Sequence, residues 1–240
     1  MPVPIRFCLV LGALALLPGF ADPPASEPDA VDSAVAMDGL CASGKQQSPI
    51  DLGGAMPVRT PAPHPDWTPA HGGMLLNTGH TIQADLRDAG SLDLNGARYT
   101  LKQMHFHHPS EHTLDGKRYP MEAHFVHQSA DGRLAVIGVM FEEGAANPML
   151  DRMWSTAPAR AGRAAVSYDF DLNQLSPASG GAYRYEGSLT TAPCSENVSW
   201  TVMAQPVEAS HAQLEAFAAL FPNNARSVQP LNRRYVLKTE

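Results

Sequence analysis

From Leu75 onward, the chain is made of short runs of alternating apolar and polar residues. Turn dipeptides at Thr78-Gly79, Asn95-Gly96, Asp115-Gly116 and Asp131-Gly132 separate these runs, which are rich in Val, Ile, Tyr and Phe. Such runs between turn residues are typical of β-strands, and the two Asp-Gly pairs predict hairpin turns. The pattern therefore predicts a mainly β fold, with a single domain around one large, mostly antiparallel sheet.

Helical spacing is confined to two short segments, Ala146 to Trp154 and Ser210 to Phe221. In the second segment, Ser210 and Gln213 match a capping box at the helix start. Pro222 ends it, because proline cannot continue a helix. The apolar residues at helical spacing in this segment are Leu214, Phe217 and Phe221.

The first 21 residues have the pattern of a secretory signal peptide. One cation, Arg6, precedes the apolar run Phe7 to Leu17, and Ala21 offers a small residue at which cleavage can occur. A retained membrane anchor is the alternative, but the run is far shorter than the roughly 20 residues that cross a bilayer. We expect a periplasmic or secreted protein with no stable membrane insertion.

Residues 22–40 are mainly Pro, Ala, Ser and Asp, as in a flexible leader. The remaining residues, 41–240, are expected to form the folded domain. Within it, Pro57 to Pro69 contains so many prolines that we expect an extended surface crossing rather than a regular element.

Composition narrows the class of protein. The 240 residues are 44% hydrophobic and 17% charged, which is enough apolar material for a full core. The formal net charge of −7 argues against a surface that neutralises many phosphates, so nucleic acid is not expected as a partner. With 19 Gly, 21 Pro and only 7% aromatic residues, the chain favours many short strands over a helical bundle.

The three cysteines agree with export. Cys8 lies in the signal segment, which leaves Cys41 and Cys194 as an even pair in an oxidising compartment. A disulfide between them would close a long loop and contribute about 4 to 5 kcal/mol in the chain-entropy model. Two buried free thiols are the alternative.

Six of the ten histidines lie between His105 and His127. If 101–108 and 121–127 are strands, alternation puts His105 and His107 on one face and His124 on the matching face of the next strand. Three imidazoles held in this way are the ligand set of a catalytic zinc that keeps a fourth position for water.

Two polar residues strengthen the zinc interpretation. Gln103 and Glu122 each lie two residues before a proposed ligand, on the same face, where they can accept the second ring N–H of a ligand. Surface or core histidines, a cupin site through His105, His107 and Glu111, and a passive zinc store or carrier are the alternatives. The cupin pattern fails because its glycines and its Pro-x-Gly are missing.

At this point the sequence resembles the α-class carbonic anhydrases. The matching stretches, in the family's order, are CASGKQQSPIDL (41–52), NTGHTIQ (77–83), QMHFHHPSEHT (103–113), MEAHFVH (121–127), LAVIGVMF (134–141), YRYEGSLTTAPCSENVSW (183–200) and NNARSVQPLN (223–232). The resemblance implies a central twisted, mostly antiparallel sheet with a few short helices. It also implies a zinc enzyme that reversibly hydrates carbon dioxide to bicarbonate and a proton.

Position by position, the resemblance implies roles for particular residues. His105, His107 and His124 would be the zinc ligands, with Gln103, Glu122 and the backbone carbonyl of Asn224 as their outer partners. Thr190 would accept a hydrogen bond from the zinc-bound hydroxide that attacks the substrate and donate one to ionised Glu111. His80 would carry the product proton to buffer, since an imidazole has an ordinary pKa of about 6.5. The carbon dioxide pocket would comprise Val126, Val136, Leu189, Thr191 and Trp200, and the disulfide would join Cys41 to Cys194. A catalytically silent zinc-binding or zinc-carrier protein of the same fold is the alternative.

Overall fold

The computed structural model describes Met1 and residues 39–240. The predicted signal segment and nearly all of the predicted leader therefore lie outside the described residues. In the described part, thirteen strands form one sheet. The strands are β1 (Met56–Pro57), β2 (Pro65–Trp67), β3 (Ala70–Asn77), β4 (Ile82–Asp85), β5 (Gly90–Leu94), β6 (Ala97–His107), β7 (Met121–Ser129), β8 (Leu134–Glu143), β9 (Gly162–Phe170), β10 (Ala182–Ser188), β11 (Glu196–Met203), β12 (Val207–Ala209) and β13 (Leu237–Lys238).

The sheet runs in the order β1-β13-β10-β11-β8-β7-β6-β4-β3-β9. Strand β5 pairs with β2 and β6, and β12 pairs with β8. Most neighbours are antiparallel, but β8 is parallel to both β11 and β12, and β1 is parallel to β13. The mainly β class predicted from the alternation is confirmed.

Two α-helices lie after the central strands: α1 (Pro148–Thr156) and α2 (His211–Leu220). A 3-10 helix covers Leu172–Leu175, and residues 39–43 form a helical turn. The predicted capping box is confirmed, since the Ser210 hydroxyl accepts from the Gln213 backbone and the Gln213 side chain accepts from the Ser210 backbone. The first helix begins two residues later than predicted because Asn147 caps it and Pro148 occupies its first turn.

Both predicted Asp-Gly hairpin turns are confirmed. Asp131-Gly132 lies between the antiparallel strands β7 and β8. Asp115 and Gly116 have φ of 51° and 75° and reverse the chain between Leu114 and Lys117, as a two-residue hairpin requires. The prediction for Pro57 to Pro69 is wrong in part. Residues Pro65–Trp67 form strand β2 on an edge of the sheet, where proline is tolerated, and Trp67 is buried.

The sheet separates two apolar clusters. The larger one contains Phe106, Phe125 and Ile137, and it is covered by both α-helices. The smaller one lies on the opposite face and includes Val136 and Trp200. None of the described helices is long and apolar enough to cross a membrane.

Candidate metal centre

Three histidine rings meet on the face of the sheet that carries the smaller apolar cluster. The antiparallel register puts His105 directly opposite His124, and His107 opposite Glu122. The ring centroids lie 5.0 Å apart for His105 and His107, 5.3 Å for His105 and His124, and 4.5 Å for His107 and His124. One nitrogen from each ring falls within 4.8 Å of the others. The predicted alternation of these strands is thus confirmed.

In each ring, one nitrogen contacts an oxygen acceptor. Gln103 Oε1 lies 2.8 Å from Nδ1 of His105, and Glu122 Oε1 lies 2.9 Å from Nε2 of His124. The Asn224 carbonyl lies 3.3 Å from Nδ1 of His107. Because a neutral imidazole has one donor nitrogen and one acceptor nitrogen, these contacts leave the second nitrogen of each ring with a free lone pair.

The free nitrogens fit a metal ion. Nε2 of His107 is buried and has no hydrogen-bond partner among the described residues, which is costly unless something else binds it. Burial, reinforced by the neighbouring histidines, lowers the pKa of His105 well below its ordinary value and that of His107 to about 3. Both of these rings are therefore neutral, which is the form that binds metal. For His124, burial lowers the pKa, but the Glu122 and Glu111 carboxylates outweigh it and raise the pKa. Three imidazoles are a donor set that suits zinc.

Glu122 is the carboxylate of the site with the most hydrogen-bond contacts. Its Oε2 accepts from the backbone N–H groups of Glu111 at 2.8 Å and His112 at 2.9 Å. Its Oε1 lies 2.7 Å from Nδ1 of His112 in addition to its contact with His124. Burial alone would raise its pKa, but His112 and His124 lower it well below the ordinary value. The carboxylate is ionised and can accept from both rings at once.

Glu111 and Thr190 lie beside the three rings. Glu111 Oε1 accepts from the backbone N–H of Arg226 at 2.8 Å, while Oε2 is buried with no hydrogen-bond partner in the described chain. Burial raises the pKa of Glu111, and the nearby Thr190 hydroxyl lowers it only slightly. Thr190 is therefore close to Glu111 but does not form a hydrogen bond of normal geometry with it. The predicted pairing stays a prediction.

The residues expected around the substrate line one apolar wall. Val136 and Trp200 are buried in the smaller cluster, and Val126 and Leu189 pack against it, partly exposed. The Trp200 ring lies edge-on to His124, with centroids 4.8 Å apart. Thr191 is exposed at the start of the loop that follows. This wall is an apolar surface that meets the three rings through the contact of Trp200 with His124.

His80 is exposed, in the turn between β3 and β4. Asn224 connects this turn to the metal centre, because its Nδ2 donates to the His80 carbonyl at 2.7 Å and to the Phe106 carbonyl at 3.1 Å. Its Oδ1 also accepts from the backbone of His108 at 2.7 Å. The segment that supplies the carbonyl for His107 thus also anchors the turn that carries His80.

The comparisons with known proteins agree with this geometry. Residues 35–240 match the family model "Eukaryotic-type carbonic anhydrase". The chain is 43% identical to a carbonic anhydrase of Pectobacterium carotovorum, over 82% of each sequence. The chain belongs to the α-class carbonic anhydrase family. Among solved structures, it superposes with TM-score 0.78 on the α-carbonic anhydrase of Thermovibrio ammonificans complexed with the inhibitor sulfanilamide, at 42% identity, covering 82% of this chain and 89% of that one. A dioscorin complexed with ascorbate gives TM-score 0.78 at 33% identity, covering 86% of this chain and 90% of that one.

In this α-carbonic anhydrase chain, Cys41 and Cys194 form a disulfide that spans 153 positions of sequence. The bridge lies next to a half-buried hydrogen-bond network around Arg226. The guanidinium donates to the Cys41 carbonyl at 2.9 Å and to Gln47 Oε1 at 2.9 Å, and Gln47 Nε2 donates to the Cys194 carbonyl at 3.1 Å. Because the Arg226 backbone also holds Glu111, the disulfide and the metal centre share one set of contacts.

Sequence reasoning did not assign His112 or Arg226 a role. His112 belongs to a second group of potential metal ligands with Glu122 and His124, but its ring nitrogens both contact hydrogen-bond partners. That group therefore offers fewer free lone pairs than the group of His105, His107 and His124. His112 could have been found from its place in the histidine-rich segment, whereas nothing local marks Arg226.

Proposed function

We propose that this chain binds zinc through His105, His107 and His124 and catalyses the reversible hydration of carbon dioxide to bicarbonate and a proton. The observation that carries the proposal is the shared arrangement of the three rings. Each has one nitrogen against an oxygen acceptor and the other free, and the free nitrogens can reach a common point. Family membership supports the same reaction.

Zinc in such a site supplies Lewis-acid activation of water, so that a nucleophile exists at neutral pH. Gln103, Glu122 and the Asn224 carbonyl hold the rings in the orientation that leaves the ligand nitrogens free. His105 is partly exposed while His107 and His124 are buried. Substrate can therefore approach from the His105 side of an otherwise dry site.

Thr190 and Glu111 would orient the attacking water. The threonine hydroxyl can accept a hydrogen bond from the water when its own hydrogen points away from that water, and a second acceptor fixes this orientation. Glu111 Oε2, which is buried without a partner among the described residues, is the acceptor that we expect for this hydrogen. A lone pair of the water oxygen would then face the carbon dioxide carbon.

Carbon dioxide is small and apolar, so it would lie against Val126, Val136, Leu189 and Trp200, with Thr191 at the outer edge. Exclusion of water from this wall favours an uncharged substrate. The product proton would pass to His80, whose exposed position allows transfer to buffer. A periplasmic or secreted location, after cleavage near Ala21, fits a chain with a disulfide.

The alternative is a catalytically silent zinc-binding or zinc-carrier protein. A carbon dioxide hydration assay decides between the enzyme and this alternative. We expect stopped-flow carbon dioxide hydration by the purified protein to fall to the uncatalysed rate after chelator treatment and to return when Zn²⁺ is added. A protein that binds zinc tightly and gives no hydration above background would support the silent alternative.

His107→Ala tests the ligand set. Two imidazoles cannot hold the three-ligand geometry, so we expect activity to be abolished and zinc content to fall strongly. The matched control is His64→Ala, which removes a histidine away from the rings and should leave both readouts unchanged. Full activity with unchanged metal in His107→Ala would show that the zinc site lies elsewhere.

A further inference from the structure

A line of buried hydrogen bonds leads from Glu122 away from the candidate zinc site. Glu122 Oε1 lies 2.7 Å from Nδ1 of His112, and Nε2 of the same ring lies 2.7 Å from the Tyr185 hydroxyl. The Tyr185 hydroxyl lies 2.8 Å from Ser48 Oγ. His112, Glu122 and Ser48 are each 0% exposed and Tyr185 is 5% exposed, so water cannot substitute for a missing member.

The far end of this line is a fixed donor. Ser48 Oγ accepts from the backbone N–H of Ser188 at 3.0 Å. Gly187, between Tyr185 and Ser188, allows this close approach, because a Cβ there would overlap Ser48 Oγ and lie 2.7 Å from the Tyr185 ring. The line therefore joins a backbone N–H at one end to an ionised carboxylate at the other.

These two ends favour one direction for the hydrogens. A backbone N–H can only donate and a carboxylate can only accept, whereas the hydroxyl hydrogens of Ser48 and Tyr185 are free to rotate. With neutral His112, the consistent arrangement has Ser48 donating to Tyr185, Tyr185 donating to Nε2 of His112, and Nδ1 of His112 donating to Glu122. The Glu122 carboxylate thereby requires the Nδ1–H tautomer of His112, and the Tyr185 hydroxyl stabilises the same tautomer by donating to Nε2.

We propose that Tyr185 is a positioning residue for the zinc site: by donating to Nε2, it stabilises the His112 tautomer whose Nδ1–H holds the Glu122 carboxylate that orients His124. The inference deepens the proposed function and rests on it. Tyr185 itself touches neither metal nor substrate, and it acts through two intermediates.

Loss of the hydroxyl has a definite physical consequence. In the Nδ1–H tautomer, the lone pair of His112 Nε2 would be buried without a hydrogen-bond donor. In the Nε2–H tautomer, the lone pair of Nδ1 would face the Glu122 carboxylate, which repels it. Either outcome loosens the carboxylate that holds His124.

Removal of a group in direct contact with a metal ligand typically costs 10- to 100-fold in metal affinity. Since Tyr185 is two contacts further out, we expect Tyr185→Phe to speed zinc dissociation about 3- to 10-fold.

The experiment compares Tyr185→Phe with Tyr183→Phe. Tyr183 is buried on the same face of β10, two residues earlier, and is not part of the line. Zinc release from the loaded full-length proteins is followed with a chromogenic chelator in excess. We expect faster release from Tyr185→Phe and a wild-type rate from Tyr183→Phe. Equal rates in the two variants would overturn the proposal.

A spectroscopic readout separates positioning from general loosening. In long-range ¹H–¹⁵N spectra of the imidazoles, we expect His112 to be the Nδ1–H tautomer in wild type and in Tyr183→Phe, and a mixture in Tyr185→Phe. An unchanged Nδ1–H tautomer in Tyr185→Phe would refute the mechanism. If Tyr185→Phe does not fold, Ser48→Ala removes the next hydroxyl and is expected to shift the tautomer and the zinc release rate in the same direction, by less.

These measurements distinguish failure of the proposed function from failure of the inference about Tyr185. A wild-type protein that retains no zinc would remove the zinc site, and the tautomer comparison in metal-free protein would still decide the role of Tyr185. A wild-type protein that binds zinc, together with unchanged release and tautomer in Tyr185→Phe, would leave the proposed function standing and overturn this inference.

Discussion

At the scale of single residues, Glu111 Oε2 is a buried polar atom of the site that has no hydrogen-bond partner among the described residues. Thr190 is the nearby hydroxyl, so Thr190→Val tests whether the pair orients the attacking water. We expect the hydration rate to fall by roughly 10² to 10³, the scale found when one preorganised hydrogen-bonding group is removed from a dry active site. Zinc content, measured on the same samples, should not change. A rate equal to wild type would assign Thr190 a structural role only.

The role of His80 also has to be tested at the scale of single residues, because an exposed histidine near the site either transfers the product proton or has no part in the reaction. If it carries protons, His80→Ala should slow turnover most in dilute buffer, where other acceptors are scarce. The exchange between carbon dioxide and bicarbonate at equilibrium should stay near wild type, since proton release follows the attack. Added imidazole should restore much of the lost rate, because its pKa is close to that of a free histidine side chain.

The comparison that decides the role of His80 is the buffer series. An equal loss of activity in dilute and in concentrated imidazole would show that His80 acts through structure. Such an effect has a route in the fold, since the His80 carbonyl accepts from Asn224, whose own carbonyl contacts His107. The exchange rate at equilibrium separates the two roles, because a displaced His107 would lower it.

At the scale of elements, local patterns predicted the part of the site that lies on adjacent strands. Alternation along β6 and β7 is a period-2 property of the backbone, so it placed His105, His107 and His124 on one face before any register was known. The bulge between Leu101 and Gln103 has no comparable local signature. Neither do the parallel pairings of β8, which depend on strands far away in sequence.

The disulfide acts at the same scale, because it fastens the first described segment to the loop after Thr190. Reduction, or Cys41→Ser with Cys194→Ser, is expected to lower the free energy of unfolding by up to about 5 kcal/mol in the chain-entropy model. Zinc should be retained, since neither cysteine contacts the rings. Urea unfolding and metal analysis on the same samples check both statements. Loss of zinc without a lower free energy of unfolding would contradict the expectation that the disulfide stabilises the fold but does not hold the zinc.

At the scale of the whole molecule, the contacts that complete the site come from distant parts of the chain. Asn224 lies 117 residues from His107, and Arg226 lies 115 residues from Glu111. Such contacts have no periodicity that a single sequence can display, so only the family resemblance pointed to Asn224, and nothing pointed to Arg226. Both residues lie in one irregular segment, which therefore connects several parts of the site.

The acid stability of the whole molecule should depend on His127, a buried histidine outside the ligand set. Its Nε2 accepts from the Trp67 indole N–H at 3.0 Å and its Nδ1 lies 2.9 Å from the Phe125 carbonyl, so both nitrogens are used in the neutral form. Burial lowers its pKa from 6.5 to about 4. Below pH 6.5, His127 is protonated in the unfolded chain but stays neutral in the folded chain. The free energy of unfolding therefore falls as the pH drops from 6.5 toward 4.

The size of this effect follows from linkage: a shift of this extent corresponds to about 3 kcal/mol across that window. His127→Gln keeps an oxygen that can accept from Trp67 but cannot titrate. We therefore expect the variant to be less stable than wild type at pH 7.5, where neutral His127 fits its site best, and to lose less stability on acidification. The slope of unfolding free energy against pH, from urea titrations between pH 7.5 and 4.5, should be shallower by up to about 1.4 kcal/mol per pH unit. Equal slopes of unfolding free energy against pH in wild type and variant would mean that protonation of His127 does not destabilise the fold. Other buried groups would then determine the loss of stability at low pH.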